Sequence, residues 1–163
     1  KAGIVTTLDP NVRPMLISDR ESYLARLWHL MWHADVIKLS DEDLAWIYPE
    51  LSFEEACEAL LAKATAKLTI ITKGAEGAIG YCKDHKVIVP AHPVGTLIDT
   101  VGAGDTFMGT VLSDLNGAGL LTQTALSELT PVRLKDLLSR AAKAAAVNCG
   151  REGCDPPSSA ELL

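Results

Sequence analysis

Short apolar runs alternate with helical patterns along this chain. Runs of strand length cover residues 3–9, 34–40 and 67–74, and a polar or glycine-bearing turn follows each of them. Between these runs, apolar residues three and four positions apart predict amphipathic helices. The predicted helices cover 19–33, the segment that begins at Ser40, 52–66 behind a Ser52 cap, the segment that ends near Asn116, and 130–148.

Two further stretches favour β-structure. The letters GAIGYCKDHKVIVPA at 77–91 predict a hairpin that turns at KDH, and VGTLID at 94–99 is a weaker candidate strand. The element order is then β-α-β-α-α-β-β-β-(β)-α-α, without a repeat or an evident linker. This order predicts one domain over residues 1–163, with an α/β fold built on a layered, partly parallel sheet.

Polar residues follow the predicted strands at their carboxyl ends. Asp9, Ser40 and Lys73 occupy such positions, and the turn DTVGAGD at 99–105 precedes the next helix. Ligands of open α/β sheets lie beyond the carboxyl ends of the strands. We therefore expect these residues to share one edge of the sheet and to form the functional site.

The composition of the chain argues against some classes of binding partner. The chain has 163 residues, a net charge of −6 and no run of Lys or Arg, which argues against nucleic acid or an anionic membrane as the main partner. Its apolar runs are too short to span a bilayer. The four cysteines, at positions 57, 82, 149 and 154, are scattered as expected of reduced thiols in a cytoplasmic protein. The start, KAGIVTT, resembles the middle of a protein, so we expect a portion of a longer chain.

The stretch IDTVGAGDTF, residues 98–107, carries the strongest chemical pattern. Gly102 and Gly104 lack a Cβ, so the backbone can approach a ligand closely. The amides that follow face outward at a helix N-terminus, where the helix dipole favours an anion such as phosphate. Asp105 in the first turn is placed to accept a proton from an attacking hydroxyl. An ordinary strand-to-helix loop, with Asp105 only complementing the dipole, is the alternative interpretation.

Two other phosphate motifs do not fit. G-x-G-x-x-G requires glycine at position 107, which is Phe107, and no G-x-x-x-x-G-K-[ST] occurs. The residues alone therefore leave both interpretations of the glycine turn open.

Several segments in the same order resemble the ribokinase-type (PfkB) sugar kinases. DTVGAGDTF is similar to the signature of that family, and four other segments resemble its bacterial members that phosphorylate fructose. Those segments are LDPNVRP, ADVIKLSDEDLAWIYP, TIITKGAEGAIGY and CGREGCDPP. The resemblance implies a ribokinase-like sheet with helices on both faces. It covers the whole chain but only the C-terminal, nucleotide-binding and catalytic portion of a family member.

The resemblance also implies roles for individual residues. Asp105 is the general base, and Gly102, Ala103 and Gly104 form the anion hole. A monovalent cation, K⁺, and ATP with Mg²⁺ are the implied cofactors, and the family pattern Asn-x-x-Glu at the Mg²⁺ position is replaced here by Ser40-x-x-Asp43. The resemblance implies Asp9, Asn11 and Arg13 for the sugar. It implies Thr72, Lys73, Gly74, Gly77 and Ser40 for the nucleotide, with the alanine-rich helix 141–147 beside adenine. It implies Asp43 for Mg²⁺ through water, and Asp99, Val101, Arg151 and Gly153, mostly through their backbone groups, for the monovalent cation.

Structural roles compete with several of these assignments. Asp43 also fits a helix cap, and Asp99 also fits a cap of its turn. Arg13 and Lys73 also fit solvated surface charges, and Gly74 and Gly77 also fit the needs of the hairpin. A last pair, His29 and His33, has the spacing of metal ligands but lies away from the apolar stripe of its helix, so we expect it to be solvated.

The expected function is transfer of phosphate from ATP to fructose, giving fructose 6-phosphate. Family kinases for a keto-deoxy sugar acid, ribose or a nucleoside are the alternatives within the enzyme class. A nucleotide-binding module without turnover, or a purely structural fragment, are the alternatives outside it. The resemblance also implies a homodimer for the full-length protein.

Overall fold

A computed structural model describes residues 3–162, and within that range five strands form one sheet. The strand order across the sheet is the same as the order along the chain. The first three strands are parallel and the last two antiparallel, which confirms the partly parallel sheet. The strands are β1 Thr7–Leu8, β2 Val36–Ser40, β3 Leu68–Thr72, β4 Ala78–Cys82 and β5 His85–Val89.

The same part of the chain forms six α-helices and three short 3₁₀ turns. The helices are α1 Arg20–His33, α2 Asp41–Ile47, α3 Phe53–Lys63, α4 Ala103–Gly117, α5 Gln123–Ser127 and α6 Pro131–Cys149; the 3₁₀ turns are Pro14–Leu16, Gly74–Glu76 and Ser159–Leu162. None of these helices is long and apolar enough to cross a membrane.

The alternation of side chains along the buried strands divides the core into two layers. Ile37, Leu39 and Ile71 pack with side chains of α1, α2 and α3. Val36 and Ile70, pointing the other way, pack with α4 and α6. The helices therefore cover both faces of the sheet, as predicted. Because each fully buried aliphatic side chain contributes about 1.5–3 kcal/mol, these two layers supply most of the stability.

Both predicted helix caps are present. Ser40 accepts a hydrogen bond from the amide of Asp43, whose carboxylate accepts one from the amide of Ser40, so the two residues form a capping box. Ser52 and Glu55 form a second box at the start of α3. Such boxes satisfy backbone donors that a helix N-terminus leaves free. These local patterns fix where α2 and α3 begin.

Two predictions about secondary structure were wrong, and two short elements were missed. Residues 3–9 yield only a two-residue strand, because β1 pairs with β2 at just two positions and Ile4 remains exposed. Residues 94–99 form no strand; Leu97 is exposed, and the amides of Ile98 and Asp99 bond instead to the carbonyl of Cys149 at the end of α6. Helix α5 and the turn at 159–162 were not predicted.

The cysteines agree with the sequence analysis. Cys57 and Cys82 are buried, Cys149 is half-buried and Cys154 is exposed, and all four are free thiols. Burial raises the pKa of the Cys57 and Cys82 thiols, so both behave as small apolar core residues.

A buried carboxylate ties together the end of the sheet opposite the expected site. Asp35 accepts hydrogen bonds from Lys67 Nζ at 2.8 Å, from the amide of Thr6 at 3.0 Å and from Gln123 Nε2 at 3.2 Å. Burial alone would raise the pKa of Asp35, but the hydrogen bonds from Lys67, Thr6 and Gln123 outweigh it and lower the pKa from 3.8 to about 2. The ionised form therefore stabilises the fold.

Replacing Asp35 should make the free energy of unfolding less dependent on pH in the acidic range. The lowered pKa corresponds to about 2 kcal/mol of stability at neutral pH. This contribution is complete above pH 4 and disappears as the pH falls through 2. We expect Asp35→Asn to lower the free energy of unfolding by about 2 kcal/mol at pH 7, and by about half as much at pH 3. Urea unfolding at both pH values measures this, with Asp136→Asn, an exposed change on α6, as control. An equal difference at both pH values would contradict the assignment.

Candidate active site

The carboxyl ends of β1, β2 and β3 meet the N-terminus of α4 at one edge of the sheet. Asp9 follows β1, Ser40 ends β2, Thr72 ends β3, and Gly102 precedes α4. Two bonds join neighbouring strands here: Lys38 Nζ contacts Asp9 Oδ2 at 2.8 Å, and Thr72 Oγ1 donates to the carbonyl of Leu39 at 3.4 Å. The topology thus brings the first half of the chain to the glycine turn.

Gly102 forms the left-handed corner from which α4 starts. Its φ of +75° is a conformation that L side chains rarely adopt. A Cβ at this position would lie 2.2 Å from Sγ of Cys154, so the space beside it is already filled. Helix α4 begins at Ala103, whose amide donates to the carbonyl of Thr100 at 3.2 Å, whereas the next two amides have no intrahelical partner. The result is the bare helix N-terminus that an anion requires.

Gly104 allows a buried lysine to approach the same turn. A Cβ on Gly104 would lie 2.7 Å from Lys38 Nζ. Lys38 is only 5% exposed, and its ammonium is held by Asp9. Strand alternation explains the contact, since Lys38 points to the α4 face of the sheet together with Val36. The ammonium adds positive charge directly beside the anion hole.

Sequence analysis missed Lys38, although the strand VIKLS contained the relevant signal. Lysine is almost never buried without a partner, so a lysine inside an otherwise apolar strand indicates a polar task. Its contact with Gly104 depends on how the strand docks against α4, and no local pattern encodes that.

Asp105 occupies the first turn of α4 and is exposed. Among residues 3–162 its carboxylate makes no hydrogen bond or ion pair, unlike the carboxylates of Asp9, Asp43 and Asp99 around it. One further oxygen, Oδ1 of Asp9, is buried and has no partner within the described part of the chain. The site therefore contains an unpaired carboxylate next to the turn that is predicted to bind an anion.

Asp99, Val101 and Gly153 lie together behind the glycine turn. The carboxylate of Asp99 accepts hydrogen bonds from the amide of Val101 at 2.9 Å and from the amide of Gly153 at 3.1 Å. Asp99 thus caps its own turn, which is the structural alternative, and also joins that turn to Gly153. The carbonyl of Val101 accepts a hydrogen bond from Nδ2 of Asn148 at 2.8 Å. Asn148 is fully buried and was not identified from the sequence.

Arg151 does not point its side chain into this group. Its guanidinium contacts the carboxylates of Asp155 and Glu161. Within residues 3–162, no cluster of three or more His, Cys, Asp or Glu side chains is arranged to hold a metal ion. The cation assignment of Asp99, Val101, Arg151 and Gly153 stays a prediction.

Asp43 uses both carboxylate oxygens within the protein. Oδ2 accepts from the amide and hydroxyl of Ser40 at 2.9 and 2.8 Å, while Oδ1 accepts from the amide of Val12 at 2.7 Å. Asp43 therefore caps α2 and also holds the loop that carries Asn11 and Arg13. Its predicted link to Mg²⁺ remains untested.

The loop between Asp9 and Arg13 has its own constraints. Asn11 adopts a positive φ of 43°, which turns the chain sharply after Pro10. The guanidinium of Arg13 contacts the carbonyl of Val12 at 3.2 Å, and it makes no ion pair in the part of the chain described. Its charge is therefore available to a ligand.

The loop after β3 combines structural and candidate binding features. Lys73 Nζ lies 2.6 Å from Glu76 and 4.7 Å from the centre of the Phe53 ring, and the hydrogen bond with Glu76 raises the pKa of Lys73. Gly77 has a φ of +100°, and a Cβ there would lie 2.1 Å from the Val89 carbonyl, so the hairpin requires this glycine. Gly74 also has a positive φ, but the space around it is open.

The histidine pair lies apart from this site. His29 and His33 are exposed on α1, with ring centres 4.9 Å apart in an edge-to-face arrangement. This agrees with the expectation that they are solvated.

The fold and the site define a class of α/β domain, in which a glycine turn, a buried ammonium and an unpaired carboxylate meet at the edge of a sheet. Residues 2–161 match the family described as pfkB family carbohydrate kinase, and the chain belongs to that family. This confirms the resemblance seen in the sequence.

Several relatives are named fructokinases. A fructokinase of Rhizobium leguminosarum bv. trifolii is 44% identical over 135 residues, which are 83% of this chain and 41% of that protein. Fructokinase-1 of Oryza sativa subsp. japonica is 28% identical over 165 residues, covering all of this chain and 49% of the rice protein. The chain thus spans half of the length of these relatives or less.

Solved structures give the same picture. The fructokinase of Xylella fastidiosa with bound ATP superposes with a TM-score of 0.82 at 29% identity, over 94% of this chain and 48% of that one. The fructokinase of Vibrio cholerae O395, bound to fructose, ADP and calcium, superposes with a TM-score of 0.77 at 27% identity, over 96% and 48%. These matches confirm the ribokinase-like fold.

The close approach of Lys38 makes Gly104 sensitive to a single methyl group. Since Asp9 holds the Lys38 ammonium, the new Cβ of Gly104→Ala should displace the ammonium or the helix start. We expect ATP to bind about tenfold more weakly to this variant, measured by calorimetry with the full-length protein. Gly109→Ala on the same helix is the control, because nothing lies within 4 Å of a Cβ there. Equal ATP affinities of the two variants would contradict the role of this contact.

Proposed function

We propose that residues 1–163 are the nucleotide-binding and catalytic portion of an ATP-dependent sugar kinase, which converts fructose to fructose 6-phosphate. The observation that carries the proposal is the free Asp105 carboxylate beside the Gly102–Gly104 turn and the buried Lys38 ammonium. This is the combination that phosphoryl transfer to a hydroxyl needs: an acceptor for the proton, and fixed positive charge for the phosphoryl oxygens.

In the proposed reaction, a sugar hydroxyl oxygen attacks the γ-phosphorus of ATP. A new O–P bond forms, the bond between the γ-phosphorus and the bridging oxygen breaks, and ADP leaves with that electron pair. The hydroxyl proton passes to Asp105. The first amides of α4 and the ammonium of Lys38 stabilise the charge on the transferring group. Catalysis then consists of positioning and electrostatics.

The other elements at the same edge would hold the two substrates. The 72–77 loop, Ser40 and the alanine-rich part of α6 at 141–147 are the proposed contacts of ATP. Asp9, Asn11 and Arg13 are the proposed contacts of the sugar, and Asp43 supports them by fixing the amide of Val12. The Asp9 oxygen that is buried without a protein partner fits an acceptor for a sugar hydroxyl.

Cations belong to this proposal as well. Mg²⁺, when bound with ATP, would neutralise phosphate charge, and Asp43 is the proposed residue that contacts it through water. The turn made by Asp99, Val101 and Gly153 is the proposed place of K⁺. The full-length protein is proposed to be a cytoplasmic homodimer.

The choice of fructose rests on relatives that are named fructokinases and on the solved fructokinase that holds fructose. A keto-deoxy sugar acid, ribose and a nucleoside are the competing substrates. Measuring ADP release with fructose and with each of these three compounds tests the choice. A nucleotide-binding module without turnover would bind ATP but release no ADP when sugar is added. ADP release with one of the competing substrates and none with fructose would support the proposed mechanism but reject fructose as the substrate.

The proton-acceptor role of Asp105 predicts a large loss of rate. We expect Asp105→Asn to lower kcat for fructose-dependent ADP release by about three orders of magnitude, while ATP affinity changes little. Asp136→Asn, which changes an exposed aspartate on α6, serves as control and should retain the wild-type rate. A rate for Asp105→Asn similar to wild type would make Asp105 a purely structural residue.

The charge of Lys38 predicts a second loss of catalytic rate. Lys38→Met keeps the length and apolar stem of the side chain but removes the ammonium, so kcat should fall by about two orders of magnitude. Lys67→Met is the control, because it also removes a lysine that is paired with an aspartate, but at the end of the sheet opposite the site. We expect this control to lose stability and to keep its kcat. Equal losses of kcat in the two variants would contradict a specific role of Lys38, because removing an ion pair far from the site would then slow the reaction just as much.

A further inference from the structure

The segment after α6 packs directly behind the anion hole. This exit loop, residues 150–157, places Cys154 against Gly102, and its Gly153 amide donates to Asp99. Every residue of the exit loop is half-buried or exposed, so it has no apolar core of its own. Its position must therefore come from polar links to its neighbours.

A second segment, the strap of residues 158–162, is anchored to α6. The carbonyl of Leu162 accepts hydrogen bonds from Lys143 Nζ at 3.0 Å and Arg140 Nη1 at 3.4 Å on α6. Arg140 also pairs with Asp114 of α4 at 3.1 Å. The Leu162 side chain is buried. The strap is thus fixed to α6, the helix that precedes the exit loop, and Arg140 ties α6 in turn to α4.

One carboxylate connects the strap to the exit loop. Glu161 Oε2 accepts hydrogen bonds from the amide and the hydroxyl of Ser158, both at 2.8 Å. Its Oε1 pairs with the guanidinium of Arg151, which also contacts the carbonyl of Asp155 at 3.3 Å. The bonds from Ser158 and Arg151 lower the pKa of Glu161 to about 2, so this link stays charged at neutral pH.

We propose that Glu161 is a positioning residue for the anion hole, acting through Arg151 and the exit loop. In this chain of contacts, the strap holds Glu161, Glu161 holds Arg151, and the exit loop then holds Gly102 and Asp99 from behind. Because donors aimed at a transferring phosphoryl group work only at the correct position, loosening this brace should slow catalysis more than it weakens substrate binding. The catalytic consequence rests on the proposed kinase function.

The test compares three variants of the full-length protein. Glu161→Ala removes the link, and Glu161→Gln keeps an acceptor for Ser158 but loses the charge. Glu152→Gln is the matched control, since Glu152 is exposed in the same loop and makes no hydrogen bond or ion pair among the described residues. Two quantities are measured: amide hydrogen exchange of the 150–157 segment, and the kcat and KM for sugar-dependent ADP release.

We expect exchange in the exit loop to rise about tenfold in Glu161→Ala, and less in Glu161→Gln. The kcat should fall about tenfold in Glu161→Ala, with the KM for sugar within twofold of wild type. Glu152→Gln should match wild type in both measurements. If Glu161→Ala does not fold, Arg151→Gln breaks the same link from the other side, and the same changes are expected.

Unchanged exchange in the exit loop would overturn the proposal, as would faster exchange with an unchanged kcat, since Glu161 would then be a structural contact only. Absence of sugar-dependent turnover in the wild-type protein would overturn the kinase function instead. In that case the exchange measurement alone decides whether Glu161 braces the loop behind Gly102.

Discussion

The ion pair between Lys38 and Asp9 is the interaction on which the arrangement of the site depends. It joins the end of β1, the middle of β2 and, through the contact with Gly104, the first turn of α4. Burying an ammonium in a strand is costly unless a partner offsets the lost hydration. Asp9 is that partner, although one of its oxygens remains without a donor inside the described chain. The pair therefore brings charge to the anion hole and leaves a polar atom for a ligand.

The loops around this pair are fixed by side chains that bond to backbone amides and carbonyls. Asp43 holds the amide of Val12, Asp99 holds the amide of Gly153, and Asn148 holds the carbonyl of Val101. Each bond spans at least 31 residues of sequence and joins a loop to a packed element or a second loop. Irregular segments without buried apolar side chains acquire a defined position in this way. The rigid sheet and helices thus determine where flexible-looking loops place their polar groups.

Local patterns predicted the parts of the fold that local energetics decide. The capping boxes at Ser40 and Ser52 and the glycine turn before α4 depend on residues within a few positions of one another, and each was identified from the sequence. The length of β1 was not predictable, because its pairing depends on a neighbouring strand rather than on its own apolar residues. The segment 94–99 illustrates the same limit, since the carbonyl of Cys149 satisfies its amides.

In the candidate site, too, some features follow from the sequence pattern and others depend on long-range contacts. Strand order alone predicted that Asp9, Ser40 and Lys73 lie at one edge, because the carboxyl ends of parallel strands meet there. The contact partner of each side chain could not be predicted without knowing how the elements pack. Asn148 and Val101 are 47 residues apart, and the approach of Lys38 to Gly104 depends on how α4 docks on the sheet. The residues that sequence analysis missed are those whose role is defined by a long-range contact.

The electrostatics of the chain also show why net charge did not decide the chemistry. The chain carries a net charge of −6, yet the site that we propose at Gly102–Gly104 suits an anion. Charges more than about 8 Å away are largely screened at physiological salt, whereas amides and an ammonium at hydrogen-bond distance are not. The donors at Gly102–Gly104 and Lys38 act at this short range. An acidic protein can therefore hold a polyanion, provided that the local donors are fixed before the ligand arrives.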